Sequence, residues 1–309
     1  MQHYQETVAL GSKTGLSIVS TAPKVKIEAL YHTLWREIFL FERRFSRFLP
    51  ASELSIFNRN AGTKQVISPE FQAVLVAARD ISQETAGLYN PFILPALQSA
   101  GYVNSRVPGH ETNPVDDHSG KTVVPVKNLE IGDGWARIPF ATAVDLGGCG
   151  KGYLADLLRE RLPDIISGYW LSFGGDIAVG GRNEQNQPWT VLIQSAADPA
   201  KNIASLKPDG TSGVATSGIN IHTGIKAGEV WHHIIDPRTL RPAKTDILLA
   251  TVSDKSALRA DVLASCAVIL GGGQAMEFLK QHQADAAVLQ FGSRLEHFGD
   301  GIIIGNAHV

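Results

Sequence analysis

A carboxylate stands inside an apolar run of helical pattern, Ala260-Asp261-Val262-Leu263-Ala264-Ser265-Cys266, and any fold of this chain has to accommodate it. The run places a carboxylate and a hydroxyl four residues apart. On a helix, side chains at i and i+4 lie one above the other on the same face. A carboxylate, a hydroxyl and a freed carbonyl at one helix start would suit a hard, oxygen-seeking cation such as Mg²⁺. Alone this is a weak signal, and its weight depends on the rest of the chain.

The 309 residues are long for one domain but do not demand two, and they can bury a large core without disulfides or structural metals. With 28 basic and 30 acidic residues the net charge is −2, so no global field favours nucleic acid or anionic lipid. The only cysteines, Cys149 and Cys266, form no Cys-x-x-Cys pattern, which argues against structural zinc and a disulfide framework. No apolar run approaches the roughly 20 residues that cross a bilayer. Met1 to Thr7 shows no basic region followed by an apolar one, as a secretory signal would. A cytoplasmic protein is the expectation, with no nucleic-acid partner and no membrane insertion.

Alternation over 7–20 predicts a hairpin turning at Gly11 to Gly15. Ile27, Leu30, Leu34, Ile38, Phe41 and Phe45 recur at helical spacing, as do Phe71, Val74, Leu75, Ala78 and Ile81 between Pro69 and Gly87. Residues 52–58 read as a short helix. Pro, Gly, Asn, Asp and His enrich 104–120, which predicts a surface loop. Strands are expected near 122–126, 135–138, 142–145, 169–173, 189–194, 230–235, 247–253, 286–290 and 301–304. Helices are expected at about 151–162, 256–270 and 273–282. With no internal repeat and no linker, the reading is one α+β domain over 1–309.

Asp145-Leu-Gly-Gly-Cys-Gly-Lys151-Gly152 has the form of a strand, a Gly-rich turn and a helix, which can offer backbone N–H groups to an anion. It is not a P-loop, because Gly152 stands where Ser or Thr should follow the lysine. A tight turn is the plain alternative. His232 and His233 are neighbours on an expected strand and point to opposite faces, so they cannot both enter one site.

Taken together, five segments resemble the ApbE-like flavin transferases, the FAD:protein FMN transferase family. They are Phe45-Ser-Arg-Phe-Leu-Pro-Ala-Ser-Glu-Leu-Ser-Ile-Phe-Asn58, Gly87-Leu-Tyr-Asn-Pro91, and Asp145 to Tyr153. Phe173-Gly-Gly-Asp176 with Thr216-Ser-Gly218 follows, then His233-Ile-Ile-Asp-Pro-Arg-Thr239 running on to Ala260-Asp261 and Ser265. They occur in the family's order and span nearly the whole chain.

The resemblance implies a mixed α+β fold and Mg²⁺-dependent transfer of FMN from FAD to a Thr or Ser hydroxyl of an acceptor flavoprotein, with release of AMP. It implies metal ligation by the Asp261 and Ser265 side chains and by backbone oxygens of Gly148 and Ala264. The matching flavin-nucleotide positions are Phe48, Leu88, Tyr89, Asn90, Asp145, Lys151 and Ile235. Phe48 and Tyr89 would offer ring surface, and Asp145 would accept hydrogen bonds from a ring or ribose. His233 matches the family's His-x-x-Asp-Pro position and is the candidate base for the incoming hydroxyl. Three positions depart from the family pattern: Ser265 replaces a threonine, Asn90 replaces an aspartate, and Leu10-Gly11-Ser12 stands where Met-Gly-Thr is usual. No lipobox cysteine is present, so a cytoplasmic acceptor is expected. Hydrolysis of FAD to FMN and AMP, and FAD binding without catalysis, are the competing readings.

Overall fold

Strand alternation explains how the apolar helix is housed. We describe the protein from a computed structural model that covers residues 1–105, 122–226 and 228–305. The chain forms two compact units. The first comprises Met1–Phe39, Lys151–Asn220 and the chain from Thr245 onward; the second comprises the described residues of Leu40–Gly150 with Ile221–Lys244.

In the first unit an eight-stranded antiparallel sheet runs in the order Gln2–Ala9, Ser12–Ser20, Ile166–Phe173, Asp176–Gly181, Ser212–Gly218, Leu249–Asp254, Ala286–Phe291, Arg294–Phe298. Successive side chains of a strand face opposite ways. Ile177, Val179 and Val214 therefore join Trp189, Val191, Ile193, Ala204 and Leu206 in one core cluster. That cluster includes residues of a three-stranded sheet, Val191–Gln194, Asn202–Leu206 and Ile302–Ile304. The alternate residues meet the apolar helix, here α6 (Ala257–Leu270), which is nearly apolar all round and correspondingly buried. Backbones approach closely there: a Cβ added to Gly213 would lie 2.3 Å from Ala257 Cα, and one added to Gly152 would lie 2.5 Å from the Ala257 carbonyl oxygen.

The second unit contains α2 (Glu53–Arg59), α3 (Pro69–Glu84) and α4 (Leu94–Ala100), while α1 (Lys24–Phe45) and α5 (Gly150–Glu160) each carry the chain from one unit into the other. Ser68 caps α3 by accepting from the Phe71 N–H at 3.1 Å, and Pro69 opens the helix with a φ suited to its first turn. The expected stripe of α3 is buried, and Phe71 packs edge-on to Phe57 with ring centroids 5.2 Å apart.

Several expectations need correction. The hairpin turns at Leu10 and Gly11, not over Gly11 to Gly15; both have positive φ, +55° and +70°, and Ala9 pairs with Ser12. Two left-handed residues make the tight turn whose twist matches that of the flanking strands. No strand forms at 122–126 or 142–145. Val144 instead pairs with the Asn58 side chain, which donates to its carbonyl and accepts from its N–H, both at 2.8 Å. Residues 106–120 of the expected surface loop lie outside the described residues. Among the described residues no helix is long and apolar enough to cross a membrane.

Candidate functional site

Asp261 sits within α6, and it is only 5% exposed. The expected position at a helix start is thus corrected: α6 begins at Ala257, and Ala264 lies inside the hydrogen-bonded ladder. The opening of α6 is held by two side chains. Ser256 accepts from the Arg259 N–H at 3.2 Å, and Asp156 of α5 accepts from Ser256 Oγ, Ala257 N and Leu258 N at 2.6, 2.9 and 3.0 Å. Asp156 satisfies end donors that have no partner within the helix, and it fixes where α6 starts.

Around Asp261 the first unit gathers two carboxylates, one ammonium and two hydroxyls. Lys151 Nζ donates to Asp176 Oδ2. Burial is the main cause that pushes Asp176 upward, while Lys151 pulls it down. Burial also drives the Asp261 carboxyl up, to about 8; Asp176 adds to the rise, and Lys151 and a hydrogen bond from the Gly152 backbone oppose it. Ser265 Oγ and Ser217 Oγ lie 2.8 Å apart. Asp261 Oδ2 is buried and has no hydrogen-bond partner among the described residues. An anionic oxygen in that state is expensive unless a cation meets it. No three or more His, Cys, Asp and Glu side chains are grouped so that they could hold a metal ion among the described residues, so a metal here would rely on hydroxyl and carbonyl oxygens beside the carboxylates. That donor set fits a hard cation.

The second unit holds the remaining expected site residues. Asp145 accepts from Arg47 Nε at 2.9 Å and from the Gly147 N–H at 2.7 Å. Tyr89 is buried, its hydroxyl is 2.9 Å from Cys149 Sγ, and a Cβ on Gly148 would stand 3.5 Å from its ring. Leu88 is buried beside it in sequence, and the Ile235 side chain packs with Ala96 and Leu97. The two histidines separate as expected. His232 Nε2 lies 3.1 Å from the Ala243 carbonyl, and burial holds its pKa below the usual histidine value. His233 Nδ1 lies 3.0 Å from the Ile221 carbonyl, with Tyr102 and His222 rings around it at 6.2 and 5.0 Å. A carbonyl only accepts, so Nδ1 carries the hydrogen and the ring's lone pair lies on Nε2.

Asn90 shows what the amide does in place of a carboxylate. Its Oδ1 accepts from the Phe92 N–H and its Nδ2 donates to the Val124 carbonyl, both at 2.9 Å. A carboxylate could serve only the first and would face the second oxygen. Asn90 is 6% exposed, so Asn90→Asp is expected to cost about 1–3 kcal/mol. Urea unfolding should show a lower midpoint at unchanged m-value; an unaltered midpoint would remove this role from the amide.

The expected residues therefore divide by unit. Lys151, Asp261, Ala264 and Ser265 belong to the first; Phe48, Leu88, Tyr89, Asn90, Asp145, Gly148, His233 and Ile235 belong to the second. Arg47, Asp156 and the Lys151–Asp176 pairing were missed by sequence reasoning. Each works across a distance in sequence that no local period marks, although Arg47 and Asp176 both stand inside segments that carry the family resemblance.

A family model described as the ApbE family matches residues 10–289. The FAD:protein FMN transferase of Salmonella typhimurium is 28% identical over 222 residues, covering 70% of this chain and 63% of that protein. The chain thus aligns with less than two thirds of that relative's length. The FAD:protein FMN transferase of Vibrio cholerae is 26% identical over 245 residues, covering 78% and 73%. Among solved structures, the apo flavinyl transferase ApbE of Pseudomonas stutzeri superposes with a TM-score of 0.79 at 22% identity, over 96% of this chain and 94% of that one. That likeness establishes the expected mixed α+β fold.

Proposed function

The chain belongs to the ApbE family, and we propose that it transfers FMN from FAD to a Thr or Ser hydroxyl of an acceptor flavoprotein, with Mg²⁺ as cofactor and AMP as leaving group. The relatives that bear the name FAD:protein FMN transferase are enzymes, and the matched region runs through both units, which supports reading 1–309 as one functional domain. The observation that carries the metal reading is the buried, unpartnered Asp261 Oδ2 beside Asp176 and the Ser265 hydroxyl.

In this reading Asp261 and Ser265 would hold the cation through their side chains, with backbone oxygens of Ala264 and Gly148 as the further ligands. When bound, Mg²⁺ would supply charge neutralisation at the pyrophosphate. Lys151 adds a second positive charge, kept in place by Asp176. Phe48, Leu88, Tyr89, Asn90, Asp145 and Ile235 would hold the flavin nucleotide, by ring surface or by backbone according to how each is buried. The acceptor oxygen forms a bond to the FMN phosphorus as the bond from that phosphorus to the bridging oxygen breaks. The hydroxyl proton passes to His233 Nε2, and AMP departs. Such chemistry needs alignment and charge compensation more than covalent help from the protein.

The direct test is the intact mass of a short acceptor peptide with a Ser/Thr target, incubated with protein, FAD and Mg²⁺. We expect a gain of one FMN that EDTA abolishes. AMP without peptide modification would mean hydrolysis instead. Bound FAD with neither product would leave a binding protein.

A further inference from the structure

Arg47 is held more tightly than its place between α1 and α2 requires. Its side chain is 6% exposed. Nε donates to Asp145 Oδ2 at 2.9 Å, and Nη2 donates to the Tyr102 carbonyl at 3.1 Å. The guanidinium carbon lies 4.1 Å from the Phe48 ring centroid and 4.6 Å from that of Tyr102. Nη1 is buried without a hydrogen-bond partner among the described residues.

These contacts use what distinguishes arginine from lysine. A planar, delocalised cation can stack on rings while its edge donates to two acceptors at fixed angles; an ammonium on a flexible stem cannot. Burying a cation with one donor unsatisfied costs stability, and an apolar residue of similar volume would avoid that cost. What the arrangement achieves is orientation. Asp145 receives Arg47 on one oxygen and the Gly147 N–H on the other, so its carboxylate has one setting. The Phe48 ring, next in the chain, is held by the guanidinium over it.

We propose that Arg47 is a positioning residue for flavin-nucleotide binding, acting through the Asp145 carboxylate and the Phe48 ring. The inference rests on the reading of those two residues as FAD contacts. Because both would act on the bound nucleotide before transfer, the effect falls on affinity and not on the chemical step.

The test combines Arg47→Lys, Arg47→Met, Asp145→Asn and the Arg47→Met/Asp145→Asn double variant. FAD affinity is read by quenching of flavin fluorescence, KM and kcat by peptide transfer, and folding by circular dichroism. Both Arg47 variants should raise the Kd and KM for FAD by about tenfold to a hundredfold, the scale of a lost charge-assisted hydrogen bond. The kcat at saturating FAD should stay within about threefold of wild type. The double variant should bind FAD less weakly than the two single effects combined would give, because the Asp145 route is lost only once and the Phe48 route alone remains to add to it. Should Arg47→Met fail to fold, Arg47→Lys carries the test, because it keeps the charge and loses the planar fork. Arg47→Lys that is folded and binds FAD like wild type overturns the proposal, as does full additivity in the double variant. Wild-type protein that does not bind FAD overturns the underlying reading and this inference with it, a failure visible without any variant.

Discussion

Asp261→Asn should make the metal-free protein more stable at neutral pH while abolishing FMN transfer. The carboxyl is pushed up to about 8, far above the ordinary aspartate range, chiefly by burial, so keeping it ionised works against folding. The stability associated with its protonated form is fully present below the unfolded value and is lost as pH rises through the folded one. Wild-type stability should therefore decline, relative to the variant, between about pH 4 and pH 8, and the difference should level off above that. At pH 7 the metal-free variant should therefore melt higher than wild type, by several degrees. In wild type, Mg²⁺ should restore the stability and raise the melting temperature; in the variant it should do neither. Calorimetry across that pH range with and without Mg²⁺ is the measurement. A variant less stable than wild type at pH 8 without metal would show that Asp261 is a satisfied structural group, and the metal reading would lose its foundation.

Removal of the base is expected to separate chemistry from folding. His233→Ala should slow single-turnover FMN transfer by about 10²–10⁴-fold, the usual contribution of a positioned base. FAD binding should stay within a few fold of wild type, because the lone pair assigned to proton transfer is on Nε2 while Nδ1 is engaged with the Ile221 carbonyl. His232→Ala serves as the contrast. His232 donates from Nε2 to Ala243, so its loss should cost about 1 kcal/mol of stability and leave the transfer rate of the folded protein largely intact. Rapid-quench measurement of labelled peptide decides between them, and an unchanged rate in His233→Ala would assign the base elsewhere.

Much of the local structure was legible in the residues. The stripes of α1 and α3 place Ile27, Leu34, Ile38, Phe71, Val74, Leu75, Ala78 and Ile81 in the core, as their spacing predicts. The short helix at 53–59 and the helices after Lys151 and Ser256 also formed close to expectation. Errors gathered where short segments take their structure from distant partners. Residues 142–145 have strand composition, but an asparagine side chain from α2 takes up the backbone groups of Val144 that a neighbouring strand would use. The strands Asp176–Gly181 and Ser212–Gly218 are rich in Gly, Ala and Ser and look like turns in isolation. Their small residues are what let α6 lie against the sheet.

The sequence by itself determined that Asp261 and Ser265 share a face of one helix, that His232 and His233 point different ways, and that the ordered segments are those of the ApbE family. These are properties of neighbours: a helical turn or a strand pleat sets them within a few residues. The tertiary structure decided what those groups experience. It brought Asp176 and Lys151 to Asp261, anchored the start of α6 on Asp156, and closed Arg47 onto Asp145 across nearly a hundred residues. Burial and charge depend on everything packed around a group, and those neighbours come from strands and helices far apart in the chain. The spacing of a carboxylate and a hydroxyl can thus be read from sequence, whereas the pull of that carboxylate toward a proton or a metal ion arises only when the chain has folded around it.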